Sequence, residues 1–195
     1  MKLDRIEENI RENIDVKKKL MADPELVTQV RDTVIRCVKA LRAGGKILFC
    51  GNGGSAADAQ HLAAELSGRY LIDRPPINAE ALHVNTSYLT AVANDYSFDQ
   101  VYARRVEAIG NKADVLIALS TSGASENIIQ AMMQAKGQGL VVVGLTGARP
   151  GRMLDVADIL IHVPSRSTPR IQEAHILIGH IICELIENAI FGDNA

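Results

Sequence analysis

The stretch KILFCGNGGSAADAQHLAAEL, residues 46–66, joins a strand-like apolar run to a helix-like segment through three glycines in four residues. Glycine permits positive φ and lets a ligand approach the backbone closely, so Gly51, Asn52, Gly53 and Gly54 form a loop suited to holding something. Ser55 is placed to cap the helix that follows, whose first amides can donate to an anion. Read through Ala56, the loop also matches G-x-G-x-x-A, the dinucleotide fingerprint. The next strand, however, ends in Val84 and Asn85 rather than in an acid able to hold a ribose hydroxyl, so the cofactor reading lacks its second half. No Lys-Ser/Thr pair closes the loop, which excludes a P-loop. A tight strand–helix turn that binds nothing is the plain alternative.

Outward from this turn, strands and helices alternate. Strand-like runs lie at 47–50, 81–84, 115–119, 140–145 and 159–163, with helical segments at 55–67, 87–93, 99–108 and 125–136 between them. A long terminal helix covers about residues 169–190. Upstream, Leu3, Ile6, Ile10, Ile14 and Met21 recur at helical spacing. Asp23 and Pro24 then read as an N-cap and first helical position, opening a helix that stops at Gly44 and Gly45. The expected fold is α/β: a doubly wound, flavodoxin-like, five-stranded parallel sheet of order 2-1-3-4-5, with an N-terminal helical segment and a long C-terminal helix. Residues 1–195 read as one domain, with 1–44 supplying helices for packing in an oligomer and 45–195 the α/β core.

In that strand order the ends of strands 1 and 3 flank the switch point where open α/β sheets bind ligands. The turn after strand 3 is LSTSGASEN, residues 119–127. Its Ser120, Thr121, Ser122 and Ser125 hydroxyls, with the amides around them, can ring the oxygens of a phosphate monoester without a lysine. Two such loops beside one switch point predict a phosphorylated small molecule.

Composition narrows the classes. Net charge is −2 with His neutral, and no basic stripe is present, which argues against nucleic acid as the main ligand. The lysine run 17–19 reads as the solvated face of an amphipathic helix. The three cysteines form no CxxC pair; Cys37 and Cys183 read as small core hydrophobes, a pattern that fits a reducing cytosol. The charged N-terminus does not resemble a signal peptide. The longest apolar stretch, 176–185, is interrupted by His180 and Glu184 and falls short of the ~20 residues that span a bilayer. The expectation is a cytoplasmic protein with no membrane partner.

Behind the glycine turn, His61 and Glu65 stand one helical turn apart and share a face. The terminal helix carries Gln172, His175 and His180. On a helical wheel with Gln172 at 0°, His180 falls near 80° and His175 near 300°, the latter inside an apolar arc of roughly 180–320°. His175 therefore reads as a core histidine, and His180 as Gln172's companion at a site. His61, Glu65, Gln172 and His180 could surround one divalent ion; zinc suits imidazole plus carboxylate, although an amide oxygen is an uncommon ligand.

The segments CGNGGSAADAQHLAAELSGRY, NDYSF, STSGASEN and RIQEAHILIGHIICELIE, in this order and separation, resemble the sugar isomerase (SIS) family over nearly the whole chain. More closely, they resemble the branch that isomerises a seven-carbon sugar phosphate. It implies an aldose–ketose isomerase converting D-sedoheptulose 7-phosphate to D-glycero-D-manno-heptose 7-phosphate, the first step of ADP- or GDP-heptose synthesis for lipopolysaccharide or capsule. It further implies a cytoplasmic homotetramer with active sites at subunit interfaces. By the same resemblance, Asn52, Gly53, Gly54, Ser55, Asn94, Asp95, Ser120, Thr121, Ser122, Ser125, Gln172 and Glu65 contact the sugar phosphate. His61, Glu65, Gln172 and His180 become the ligands of one Zn2+ per subunit, and Glu65 and His180 the catalytic pair. Some members carry an acid just before the Arg-Ile-Gln motif; Pro169 stands there in this chain, so a role for that acid does not transfer.

Isomerisation moves a proton between C1 and C2 through an enediol, which needs a base and a group to manage the oxygen protons. Glu65 and His180 fit those roles. The chief rival is a non-catalytic SIS protein that binds a sugar phosphate or a replication-initiator partner; such relatives lack the Glu/His pair. SIS isomerases of pentose or hexosamine phosphates usually attach further domains, for which this chain has no room. A dinucleotide enzyme is the most distant rival.

Overall fold

The structure, a computed structural model, describes residues 4–192, so Leu3 lies outside the described residues. Helix α1 (Asp4–Met21) turns at Asp23 into α2 (Pro24–Arg42), as the sequence predicts. The Asp23 carboxylate accepts from the N–H groups of Glu25 at 3.0 Å and Leu26 at 3.1 Å, a cap worth about 1 kcal/mol. Strands β1 (Ile47–Gly51), β2 (Ala79–Ala81), β3 (Val115–Ser120), β4 (Val141–Thr146) and β5 (Ile159–His162) form one parallel sheet of order β2-β1-β3-β4-β5. Helices α3 (Gly54–Ser67), α4 (Thr86–Asp95), α5 (Val101–Ile109), α6 (Glu126–Gly137), α7 (Met153–Val156) and α8 (Thr168–Phe191) complete the chain.

The β1 and β3 strands are buried along their whole length, and successive residues feed opposite cores. Ile47, Phe49, Val115 and Ile117 join Cys37, Leu62, Ile178 and Ile182 on the side of α2, α3 and α8. Leu48, Cys50, Leu116 and Ala118 join Tyr102, Val106, Ile128 and Met132 on the side of α5 and α6. Each buried Val, Leu, Ile, Phe or Met among them contributes about 1.5–3 kcal/mol, which explains why both strands read as unbroken apolar runs. Gly51 pairs with Leu119, so the turns after β1 and β3 leave the sheet side by side.

Three expectations need correction. The second strand lies at Ala79–Ala81, not 81–84: its register is set by pairing with Ile47, Leu48 and Phe49. Leu82 adds one further backbone bond to Phe49, the chain then turns, and Val84 is exposed. The segment 99–108 begins with a 3-10 turn at Phe98–Gln100 before α5. Finally, α8 runs 24 residues and contains an 18-residue window with a mean hydropathy of 1.5, so by length and composition it is long and apolar enough to cross a membrane. Counting an uninterrupted apolar run missed this, because a helix tolerates His180 and Glu184 within it. Here the hydropathy has a different use: Ile171, Ala174, Ile178, Ile182, Cys183 and Ile186 are buried in the core. All three cysteines are buried and free.

Candidate active site

Three helix N-termini converge on one pocket of about 310 Å³. It is lined by Asn52, Gly53, Gly54 and Ser55 at the start of α3, by Leu119, Ser120, Thr121 and Ser125 before α6, and by Thr168 and Gln172 on α8. None of these three helices is capped by the side chain at its N-cap, Gly53, Ser125 or Ser167. By contrast, α2 and α4 are capped by Asp23 and Asn85. Uncapped first-turn amides and the positive end of the helix dipole favour an anion. Lysine and arginine are absent from the lining, so backbone and hydroxyl groups would do the holding.

The expectation for Ser55 is overturned. Gly53, at φ 56°, takes the cap position, and Ser55 sits buried inside the first turn with its N–H donating to the Asn52 carbonyl at 3.0 Å. The sharp turn that the positive φ allows at Gly53 starts the helix earlier, with its cap two positions before Ser55. Ser125 Oγ likewise does not cap α6; it lies 3.2 Å from Ser120 Oγ, which is 3.4 Å from Ser122 Oγ. Gly123, at φ 65°, packs so tightly that a Cβ would sit 2.0 Å from the Pro150 carbonyl oxygen.

The two turns are tied together by a pair the sequence reading missed. Asn52 Nδ2 donates to Asn127 Oδ1 at 2.9 Å, and Asn127 Nδ2 returns a bond to Asn52 Oδ1 at 3.0 Å. Asn127 is only 2 % exposed. It closes the quoted STSGASEN motif, but spacing alone does not announce a cross-loop partner. Tyr102, also missed, donates its hydroxyl to the Gly51 carbonyl at 2.5 Å and pins the start of the glycine turn.

Ser122 lines an adjoining pocket of about 330 Å³ that shares Thr121 and Thr168 with the first and is flanked by Arg149 and Arg166. Asn94 and Asp95 are exposed at the C-terminal end of α4, bonded to each other at 2.8 Å, and do not line either pocket.

Further along α3 and α8 a second cluster forms. His61 Nε2 lies 3.2 Å from Glu65 Oε1 and 2.9 Å from His180 Nε2, and a ligand atom from each of the three residues falls within 4.8 Å of the others. The His61 and His180 rings meet edge to face with centroids 5.1 Å apart, and Tyr70 leans on His180 at 5.8 Å. Two imidazoles and one carboxylate in this arrangement are a donor set that could hold a divalent cation. Gln172 lies two turns before His180 on α8, its side-chain amide against Gly54, where an added Cβ would approach Nε2 to 2.6 Å. His175 is a core histidine, as the helical wheel predicts: it is fully buried with Nε2 3.2 Å from the Thr146 carbonyl oxygen. Burial pulls its pKa down to about 4, the Thr146 contact opposing the shift.

The five-stranded parallel sheet and the turns at its switch point define a SIS-domain protein: a family model of the SIS domain matches residues 3–147. The phosphoheptose isomerase of Burkholderia pseudomallei is 48% identical over 187 residues, covering 96% of this chain and 95% of that protein. That of Sulfurimonas denitrificans is 49% identical over 188 residues, covering 96% of each. The solved structure of the Neisseria gonorrhoeae phosphoheptose isomerase superposes with a TM-score of 0.90 at 40% identity, covering 96% of this chain and 100% of that one. The chain belongs to the phosphoheptose isomerase family of SIS-domain proteins.

Proposed function

We propose that the chain isomerises D-sedoheptulose 7-phosphate to D-glycero-D-manno-heptose 7-phosphate through an enediol. The observation that carries this reading is that α3 and α8 each serve both clusters. Gly54 and Gln172 stand at the anion pocket, whereas His61, Glu65 and His180 stand further along the same two helices. His61 lies seven residues beyond Gly54, about 10 Å along the axis, so the helix spaces a phosphate at its N-terminus from acid/base groups downstream. A sugar phosphate held by one end would present its carbonyl end to the other cluster.

In the ketose-to-aldose direction, Glu65 removes a proton from C1 and returns it to C2, while His180 transfers the proton between the two oxygens. His61, in contact with both, orients them. Asn52, Gly53, Gly54, Ser55, Ser120, Thr121, Ser122, Ser125 and Gln172 hold the phosphate ester and chain, with Asn94 and Asp95 assigned to substrate by family resemblance. His61, Glu65 and His180 would hold one zinc ion, with Gln172 as a fourth ligand, imidazole and carboxylate donors being ones that zinc accepts. Bound there, zinc would supply Lewis-acid polarisation of the substrate oxygens.

The chain is proposed to work as a cytoplasmic homotetramer built from one SIS unit, residues 1–44 packing between subunits. An apolar groove of about 560 Å³, bordered by Leu20, Met21, Val27, Ile35, Ile181 and Leu185, supports burial of α1, α2 and α8 against further copies. Ile6, Ile10 and Ile14, the predicted stripe of α1, are likewise exposed in the protomer. The test is direct: purified protein is incubated with sedoheptulose 7-phosphate, with and without a chelator, and aldose formation is followed. Conversion is expected; binding without conversion under either condition makes the protein a sugar-phosphate-binding module instead.

A further inference from the structure

Glu65 belongs to the last turn of α3, which ends at Ser67. The last four carbonyls of a helix lack intrahelical partners, and this is where helices fray. A base that must be held in fixed geometry therefore sits on the least secure part of its helix.

The carbonyls are met by Arg74. Its Nη2 donates to the Glu65 carbonyl at 3.0 Å, and Nη1 donates to those of Leu66 at 2.7 Å and Gly68 at 3.1 Å. A guanidinium at a helix C-terminus also complements the negative end of the dipole. Arg74 is in turn gripped by Glu187 of α8, Nε to Oε1 at 2.9 Å, and both side chains are 1% exposed. The same carboxylate accepts from the N–H groups of Tyr70 at 3.0 Å, Leu71 at 2.7 Å and Ile72 at 2.9 Å. Burial alone would raise the Glu187 carboxyl; these three amides and Arg74 outweigh it and hold it below the usual carboxylate range.

The position of Glu187 on α8 matters. It follows His180 by seven residues, nearly two full turns, so the two side chains leave the helix on the same face. One of the amides Glu187 fixes belongs to Tyr70, whose ring leans on the His180 imidazole. The buried pair thus reaches the backbone of one member of the catalytic pair and the packing partner of the other.

We propose that Arg74 and Glu187 are positioning residues: a buried clamp that stops the end of α3 from fraying and sets Glu65 against His180. The proposal rests on the isomerase reading for its kinetic consequence, not for its structural one. The anion pocket lies at the opposite end of α3 and touches neither residue, so the clamp governs turnover and leaves phosphate recognition alone.

Two variants test this: Glu187→Gln, which keeps the shape and loses the charge, and Arg74→Lys, which keeps the charge and loses the fork that reaches the Glu65, Leu66 and Gly68 carbonyls. Hydrogen exchange and steady-state kinetics are measured on each beside the wild type, with inhibition by inorganic phosphate reporting on the anion pocket. The expected result is faster exchange confined to residues 65–72, with kcat lowered about 10- to 100-fold and KM and phosphate inhibition unchanged. Arg74→Lys, with its ion pair intact, should fold and still show both effects. Wild-type kcat retained in a folded variant overturns the clamp. So does exchange accelerated across the whole chain in both variants, which makes the pair a stability element only. A wild type without turnover would count against the isomerase reading, while the exchange pattern still decides whether the clamp holds α3.

Discussion

Gly179 of α8 faces Leu62 of α3 so closely that a Cβ at 179 would lie 2.4 Å from Leu62 Cδ1. The next residue is His180, whose Nε2 is 2.9 Å from that of His61 on α3. The glycine sets the helix separation that the histidine pair requires. In Gly179→Ala, buried Leu62 must move or the helices must part, at about 1–3 kcal/mol of stability. A shift of about 1 Å can cost 10²-fold in rate, so kcat should fall by that order with KM little changed. Trimming Leu62 to Val in the same protein should restore part of the loss. Unchanged kcat in Gly179→Ala would show that the separation does not matter.

Asn127 makes a different prediction, because it touches only the anion-pocket end. Asn127→Leu keeps the volume and leaves the Asn52 amide without its partner, a penalty of about 1–3 kcal/mol. The glycine turn should loosen, and KM should rise about tenfold or more while kcat changes little. Kinetics across a range of substrate concentrations separates the two; a pure kcat defect contradicts the assignment.

Arg149 and Arg166 flank the neighbouring pocket on the approach to the serine-rich turn. Positive charges beside a site raise the encounter rate of an anionic substrate, and salt screens them over about 10 Å. The double substitution Arg149→Ala, Arg166→Ala should lower kcat/KM and flatten its dependence on ionic strength, with kcat unchanged. Equal salt dependence in both proteins would remove these arginines from the substrate's path.

His175 predicts a pH-dependent stability. Its folded-state pKa is depressed to about 4, against about 6.5 unfolded, so between those values the unfolded chain binds a proton that the folded chain refuses. The stability involved is fully present above pH ~6.5 and is lost as pH falls towards ~4, by about 3 kcal/mol at most. Denaturant unfolding at a series of pH values measures the slope. His175→Gln should flatten it in that window.

Much of the fold can be read from the sequence because its signals are local. The Asp23 cap, the unbroken apolar strands and the glycine turn each reflect contacts within a few residues, and the alternation of strands with helices implies a parallel sheet, whose order matches the one preferred from sequence. His61 and Glu65 are legible for the same reason, being one turn apart on one helix. The misplaced second strand depends on register with β1, a tertiary choice that local hydropathy does not encode. Asn127, Arg74, Glu187 and Gly179 escape notice because each acts across the fold: an amide on another loop, carbonyls at another helix's end, a leucine on a facing helix. Ser55 misleads because a glycine with positive φ displaced the helix start.

The central claim is that Glu65 transfers the proton between C1 and C2 of a sugar phosphate held by the switch-point pocket. Nuclear magnetic resonance of sedoheptulose 7-phosphate incubated in deuterium oxide, with wild type and with Glu65→Gln, tests it most directly. Wild type is expected to form the aldose with solvent deuterium at C2, and Glu65→Gln to be slower by a factor on the order of 10² or more. Near-normal conversion and labelling by Glu65→Gln would contradict it.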